Sequence, residues 1–271
     1  MKICLIGAGR IGAVHAIAIA SDENANLHSV VDFHQESAEK LANKYNAITL
    51  SMDEAFENNE IDAFIIASST STHADLIEKC AKVGKPVFCE KPIDLNIDRV
   101  NNCKKELEKY DVLLHIGFNR RFDPSHLSAN EKKNKGEIGT LEQIIITSRD
   151  PSGPSAAYLK VSGGMFRDMT IHDFDLACFI LQNDPIVEIF ATGDRLFSED
   201  AKEANDIDTS MITMKSKSGV LCHINNSRHS SYGYDQRVEL FGSKGMIISD
   251  NQTPTSVTRY NDESTNSKDP I

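Results

Sequence analysis

The sequence predicts an α/β amino-terminal half on a doubly wound parallel sheet, followed by an α+β half on a mostly antiparallel open sheet. Three observations carry that prediction. Up to Gly117, short apolar runs alternate with amphipathic segments, the rhythm of strand–helix–strand crossovers. A glycine-rich run follows the first apolar run directly. After Gly117 the rhythm changes to strand-like runs parted by short turn signals, as in an antiparallel sheet. Residues 1–120 and 121–271 are therefore read as two domains, and 271 residues is about 1.8 domains at roughly 150 each.

The expected strands of the first half are 2–6, 27–31, 63–67, 86–89 and 113–117, with a weaker one at 47–50. Several are apolar at consecutive positions, as parallel strands buried on both faces require. Ile11, Val14 and Ala18 mark the face of a first helix. Ala38, Leu41, Ala42 and Tyr45, and then Leu76, Ile77, Cys80 and Val83, keep helical spacing. The polar stretch 118–139 carries Pro124 and two glycines and is read as the linking loop. Beyond it the expected strands are 141–148, 185–192, 207–215, 220–225, 236–241 and 246–249. Lys217-Ser218-Gly219 and Ser243-Lys244-Gly245 read as hairpin turns. One helix, 165–181, interrupts them and ends at Asn183-Asp184-Pro185, with Phe166, Met169, Ala177 and Ile180 as its core stripe. Residues 261–271 are polar and offer no closing element.

Composition narrows the function classes. Apolar residues make up 40% and charged residues 25%, which excludes a disordered or low-complexity chain. The net charge of −11, from 29 basic against 40 acidic residues, argues against a nucleic-acid partner. The one dense basic run, Lys132-Lys133-Asn134-Lys135, is read as a solvated loop patch. No apolar run is long enough to span a membrane, and Met1 leads straight into a strand, so no signal peptide is expected. The six cysteines contain no C-x-x-C pair, and a reduced cytoplasmic setting is expected.

Gly7-Ala8-Gly9-Arg10-Ile11-Gly12 sits between a strand and a helix. Gly7 allows the tight turn, Gly9 lets backbone approach a pyrophosphate, and Gly12 lets helix pack on strand. Asp32, 20 residues past Gly12 at the next strand end, is placed to accept hydrogen bonds from ribose hydroxyls and to repel a 2′-phosphate, which favours NAD over NADP. Phe33 and His34 bring no arginine to cradle that phosphate. The competing reading is a structural glycine turn with Asp32 as a helix cap. Ser68-Ser69-Thr70-Ser71-Thr72 and His73 lie at a strand end where ligands bind in such sheets; the same residues also serve as a helix cap, and both readings stand. Glu90-Lys91-Pro92 ends the fifth strand, where Lys91 is either a donor to a substrate oxygen or half of a surface ion pair. The candidate cofactor set of this Rossmann-type half is Gly7, Gly9, Arg10, Ile11, Gly12, Asp32, Ser68, Thr70, His73, Glu90 and Lys91.

In the second half Asp168 and His172 are four residues apart, and Asp175 follows a turn later. On a helix they share one face, an arrangement suited to proton transfer because His172 titrates near neutrality. A surface ion pair or half of a metal site are the alternatives; no third ligand at motif spacing is evident, so no metal is expected. A hydride acceptor, a base and a cation near the oxygen together define alcohol oxidation.

These motifs resemble the glucose-fructose oxidoreductase / inositol dehydrogenase / rhizopine catabolism (Gfo/Idh/MocA) family, over essentially the whole chain. The resemblance is carried by Gly7 to Gly12, Glu90-Lys91-Pro92, Gly117-Phe118-Asn119-Arg120-Arg121-Phe122-Asp123 and Ser148-Arg149-Asp150-Pro151. It continues through the run from Ser162 to Asp175, Asn226-Ser227-Arg228 and Tyr232-Gly233-Tyr234-Asp235-Gln236-Arg237. The run around His172 and the Tyr-Gly-Tyr-Asp run are marks of its inositol-type branch. The resemblance implies a catalytic triad of Lys91, Asp168 and His172, with the histidine taking the hydroxyl proton and the lysine binding the reacting oxygen. It implies that 68–73 run beside the cofactor, and that Asn119, Arg120, Asp150 and Tyr234 contact a polyol substrate. It also implies NAD-dependent oxidation of a ring hydroxyl of myo-inositol or a close isomer, and a homodimer or homotetramer joined through the open sheet. Family members usually continue beyond the equivalent of Ile271, so a fragment, a truncated reading frame and a short variant are the alternatives for the second domain. A dehydrogenase for another cyclic polyol or sugar is the nearest alternative, and a non-catalytic NAD(H)-binding sensor is the alternative of a different class.

Overall fold

The computed structural model describes residues 1–251, in two compact units: the first is Met1–Phe118 and the second begins at Asn119. The expectation for residues 261–271 lies outside the described residues.

The first unit is a six-stranded sheet of β1 (Lys2–Ile6), β2 (Asn26–Val31), β3 (Ile48–Thr49), β4 (Ala63–Ile66), β5 (Val87–Cys89) and β6 (Leu114–Ile116). Every pairing is parallel, in the order β3-β2-β1-β4-β5-β6. The connecting helices are α1 (Arg10–Ala20), α2 (Gln35–Lys44), α3 (Met52–Glu57), α4 (Thr70–Lys82) and α5 (Ile97–Leu107). The strands read as unbroken apolar runs because helices cover both faces. One layer gathers Leu5, Val30, Ala16, Ile19 and Leu41; the other gathers Phe64, Ile66, Ile77, Cys80 and Cys103. The buried residues of α1 are Gly12, Ala16 and Ile19, whereas Val14 is exposed. The buried face is therefore rotated from the expected one: the small Gly12 and Ala16 let α1 lie close to the sheet, and Ile19 fills the core beside them. From β1 the chain winds outward to β2 and β3, then crosses back to β4. That reversal puts a crevice at the carboxyl ends of β1 and β4.

The second unit opens with a 3-10 turn at Asn119–Phe122. It continues with α6 (Pro124–Asn134), β7 (Leu141–Arg149), α7 (Ala156–Ser162), a π-helical turn at Phe166–Thr170, α8 (Ile171–Leu181) and β8 (Ile186–Asp194). It closes with α9 (Glu199–Glu203), β9 (Thr209–Ser216), β10 (Leu221–Ser227), β11 (Asp235–Gly242) and β12 (Gly245–Ser249). The sheet order is β12-β11-β7-β10-β9-β8, antiparallel throughout except for the β7–β10 pair. Strand β9 shows the pattern that makes it half-buried: Ser210, Ile212 and Met214 point inward while Met211, Thr213 and Lys215 face out. Leu176, Ala177 and Ile180 of α8 pack with Ile144, Ile146, Ile212, Ile224 and Leu240 of the sheet. Each fully buried large side chain contributes roughly 1.5–3 kcal/mol of transfer free energy.

Three expectations need correction. Lys132, Lys133 and Asn134 close α6 rather than lying in a loop; Asp123 caps that helix at Ser125 N and His126 N (2.9 and 3.0 Å), and Lys133 Nζ reaches Ile180 O. The buried residues of α6 are His126, Ala129 and Asn130, so no apolar stripe announces the helix. Helix α7 was also unforeseen; Gly163, left-handed at φ 89°, ends it. Finally, 165–181 is not one α-helix. A π turn with wider i→i+5 bonding precedes α8, and Phe166, assigned to the core stripe, is exposed.

Among the described residues no helix is long and apolar enough to cross a membrane. All six cysteines are free thiols.

Candidate active site

In the first unit the glycine run occupies the crevice between β1 and β4. Gly7 has φ +107°, and a Cβ there would lie 2.5–2.6 Å from Ala67 C, Ala67 O and Ser68 N. A Cβ on Gly12 would lie 1.9 Å from Gly7 O. Gly9, the N-cap of α1, differs: a Cβ on it meets no described atom within 4 Å. Two of the glycines are thus required by the protein's own packing, and the third keeps its surroundings open to a partner. The α1 amides behind it form an anion-binding end, so the loop fits a dinucleotide pyrophosphate.

Asp32, at the end of β2, accepts from Ala8 N (2.6 Å) through Oδ2 and from His34 N (2.7 Å) through Oδ1. It therefore ties the glycine loop to the end of the next strand. It is not the cap of α2, whose N-cap is His34.

Ser68 Oγ and Thr72 Oγ1 are 2.7 Å apart, and Thr72 Oγ1 donates to Ser69 O. The α4 N-cap is Ser69, with no side-chain cap bond, and Thr70 is the first helical residue. His73 is 2% exposed; its Nδ1 lies 2.7 Å from Pro92 O and its Nε2 3.1 Å from Ser68 O. The ring thereby fastens the loop at Ser68 to the segment after Lys91. The Lys91-Pro92 bond is cis. Glu90 takes His15 Nε2 on Oε1 (2.8 Å) and Lys91 N on Oε2 (3.3 Å). A Cβ on Gly117 would come within 3.2 Å of the Glu90 carboxyl, so glycine there gives Glu90 its room. Lys91 itself is half-buried. Arg10 is exposed and Ile11 half-buried at the start of α1. His15 was not singled out from the sequence, 75 residues from its partner.

In the second unit a buried polar network frames the π turn. Asp173 is fully buried, paired with Arg120 and accepting from Asn226 Nδ2 (2.8 Å). Burial pushes its carboxyl up, opposed by Arg120 and Asn226. Asn226 also accepts from Thr170 Oγ1 (2.7 Å), and Arg120 donates to Ser148 Oγ (2.8 Å). Arg120 is thus engaged in anchoring its turn to β7 and α8, while Asn119 beside it is exposed. Thr170 at the end of the π turn and Asp173 in the first turn of α8 are both pinned to Asn226 of β10, and His172 lies between them in sequence.

Asp168, within the π turn, accepts from Tyr158 Oη (2.9 Å) on Oδ1 and from both terminal nitrogens of Arg228 (3.3 and 3.2 Å) on Oδ2. Asp150 follows β7. Burial pushes its carboxyl up, Arg228, Arg120 and a hydrogen bond from Tyr234 pull it back, and the Asp168 charge adds to the rise. The second unit therefore brings together Asp150, Asp168, Arg228, Tyr158 and Tyr234. Such a mixture of carboxylates, guanidinium and phenols suits a ligand dense in hydroxyl groups. Asn226 and Arg228 were visible in the sequence as a motif without a role, and Tyr158 was not marked at all. Among the described residues no group of three or more His, Cys, Asp or Glu side chains could hold a metal ion.

Residues 1–118 match the oxidoreductase family with an NAD-binding Rossmann fold, and residues 126–248 match the GFO/IDH/MocA C-terminal domain. The chain is 46% identical to the inositol 2-dehydrogenase of Rhizobium meliloti (strain 1021), over 95% of this chain and 78% of that protein. It is similar to the crystal structure of a myo-inositol dehydrogenase from Corynebacterium glutamicum ATCC 13032, with 48% identity, a TM-score of 0.91, and coverage of 100% of this chain and 81% of the other. It is also similar to the scyllo-inositol dehydrogenase from Lactobacillus casei with bound NAD(H) and scyllo-inositol, at 27% identity and a TM-score of 0.86, covering 97% and 80%. With both halves matched and the nucleotide loop built as described, the chain belongs to the Gfo/Idh/MocA family of NAD-dependent oxidoreductases.

Proposed function

We propose that this chain oxidises a ring hydroxyl of myo-inositol, or of a close inositol isomer, to the corresponding keto-inositol. One observation carries the reading: a carboxylate at Asp168, clamped by Arg228 and Tyr158, lies four residues before the imidazole of His172 in a chain this similar to inositol dehydrogenases. Residues 1–120 serve as the nucleotide half and 121–271 as the substrate and assembly half.

Gly7, Gly9, Arg10, Ile11, Gly12, Asp32, Ser68, Thr70, His73, Glu90 and Lys91 hold the dinucleotide, His73 acting through the two carbonyls it joins. When bound, NAD⁺ supplies the hydride acceptor. His172 takes the hydroxyl proton as general base. The Lys91 ammonium donates to the reacting oxygen and stabilises its developing negative charge. Asp168 supports the imidazole and accepts from a substrate hydroxyl, and Asn119, Arg120, Asp150 and Tyr234 sort the remaining hydroxyls. Isomer choice follows from those contacts, because a hydroxyl of the wrong configuration leaves a buried polar group unpaired.

Copies of the chain associate through the outer face of the second sheet, which exposes Phe190, Met211, Leu221, Phe241, Met246 and Ile248. Six free thiols suit the reducing cytoplasm.

The test is NAD⁺-linked rate measurement across myo-, scyllo- and chiro-inositol and glucose. The proposal expects an inositol to have the highest kcat/KM. A clear preference for glucose over every inositol refutes the substrate assignment, and tight NADH binding with no oxidation of any polyol favours a sensor.

A further inference from the structure

Asp168 is held by residues from two other elements of its own unit. Tyr158 reaches it from α7, and Arg228 reaches it from just beyond β10, 60 residues along the chain. Arg228 is 3% exposed, and its Nε has no hydrogen-bond partner among the described residues. Its backbone is fixed by donation from Arg228 N to Asp208 O (2.8 Å), and Asp208 is itself anchored by the amides of Leu196, Phe197 and Ser198. A guanidinium buried with one N–H unmatched is costly. Replacing a buried ion pair by apolar groups is often neutral or stabilising, so stability alone does not explain an arginine here. What it does is chemical: both terminal nitrogens converge on one oxygen of Asp168 while the phenol of Tyr158 takes the other. The same cation acts on Asp150, so one buried positive charge serves two carboxylates.

We propose that Arg228 and Tyr158 are positioning residues that clamp Asp168 as a fixed hydrogen-bond acceptor, so that Asp168 orients its partners and does not carry the transferred proton. This rests on the reading of Asp168 and His172 as parts of the reacting site. The charged and titratable groups around the clamp are Asp150, Arg120, Tyr234 and Asp168 itself, with Asp208 behind Arg228 and His172 following in sequence.

The test uses the full chain with the variants Arg228→Met, Arg228→Lys and Tyr158→Phe. Arg228→Met is expected to lower kcat/KM for the preferred polyol by roughly 30–100-fold, the scale of a misplaced catalytic group, with the NADH dissociation constant within about twofold of wild type. The loss is expected to fall more on kcat than on KM, and a crystal structure of Arg228→Met is expected to show the Asp168 carboxylate displaced from its wild-type position. Arg228→Lys keeps the charge and is expected to restore part of the rate; Tyr158→Phe is expected to cost about 3–10-fold. An Arg228→Met protein with kcat/KM within about threefold of wild type, or with the Asp168 carboxylate in its wild-type position, overturns the proposal. If Arg228→Met does not fold, full activity in both other variants overturns it. A wild type that oxidises no polyol refutes the functional reading instead, and the position of the Asp168 carboxylate in Arg228→Met still decides the clamp.

Discussion

Gly9→Ala is the substitution that best separates a nucleotide loop from a merely structural turn. Its φ of −73° is open to alanine, and a Cβ there meets no described atom within 4 Å. Alanine is a poorer N-cap than glycine, by several tenths of a kcal/mol. Restricting the unfolded chain returns about 0.4–1 kcal/mol. The two terms nearly cancel, so the melting temperature should move by less than about 2 °C. Gly12→Ala behaves differently. Its Cβ would sit 1.9 Å from Gly7 O and 2.9 Å from Gly7 C, both backbone atoms, so the loop must open. The cost is on the order of 3 kcal/mol, the upper range for overpacking, or roughly 6–12 °C. NADH fluorescence titration and scanning calorimetry on both variants give the comparison. If Gly9 exists to admit a pyrophosphate, Gly9→Ala weakens NADH binding by about 30-fold or more, near 2 kcal/mol, at unchanged stability. Wild-type NADH affinity in Gly9→Ala refutes the assignment of the loop.

His172→Ala should lower kcat roughly 10²–10⁴-fold at neutral pH, measured by NADH formation; an unchanged rate removes His172 as the base. Asp32→Ser should raise the NADP-to-NAD ratio of kcat/KM about tenfold or more and lower stability modestly, since Asp32 also holds Ala8 N and His34 N; an unmoved ratio contradicts its role in cofactor choice. For Asp208, burial pushes the carboxyl up, but hydrogen bonds from the Leu196, Ser198 and Phe197 amides and Thr209 outweigh it and leave the group below its ordinary value of 3.8. Its contribution is therefore complete above about pH 4 and is lost as the pH falls further. Asp208→Asn should cost about 1–3 kcal/mol in urea unfolding at pH 7, with the gap to wild type shrinking towards pH 3. Met211→Glu on the outer sheet face should lower the mass seen by light scattering if copies associate there, and an unchanged assembly excludes that face.

The parallel sheet was legible because burial on both faces writes each strand as an unbroken apolar run, as in 2–6 and 63–66. The second sheet was legible through alternation, clearest in β9. Helix α6 was not, although Asp123 and Pro124 are good start signals, because it buries a histidine and an asparagine rather than an apolar stripe. The π turn was invisible for a different reason: five residues are too few for hydrophobic spacing to tell its wider turn from an α-helix. At the candidate site the glycine run, Asp32, Asp168 and His172 could be picked out by local spacing. Arg228, Tyr158 and His15 could not, since their partners come from other elements and only the completed topology brings them near.

The β7–β10 pairing bears on how the chain is made. Strand β7, rich in isoleucine, emerges early but finds its neighbours only when β10 and β11, ending at Gly242, have followed. At about 5–20 residues per second, that is a wait of roughly 5–20 s on the ribosome. During it a sticky segment has no sheet to join, so slowing translation across 150–240 should enlarge the aggregated fraction, whereas holdase chaperones should protect it.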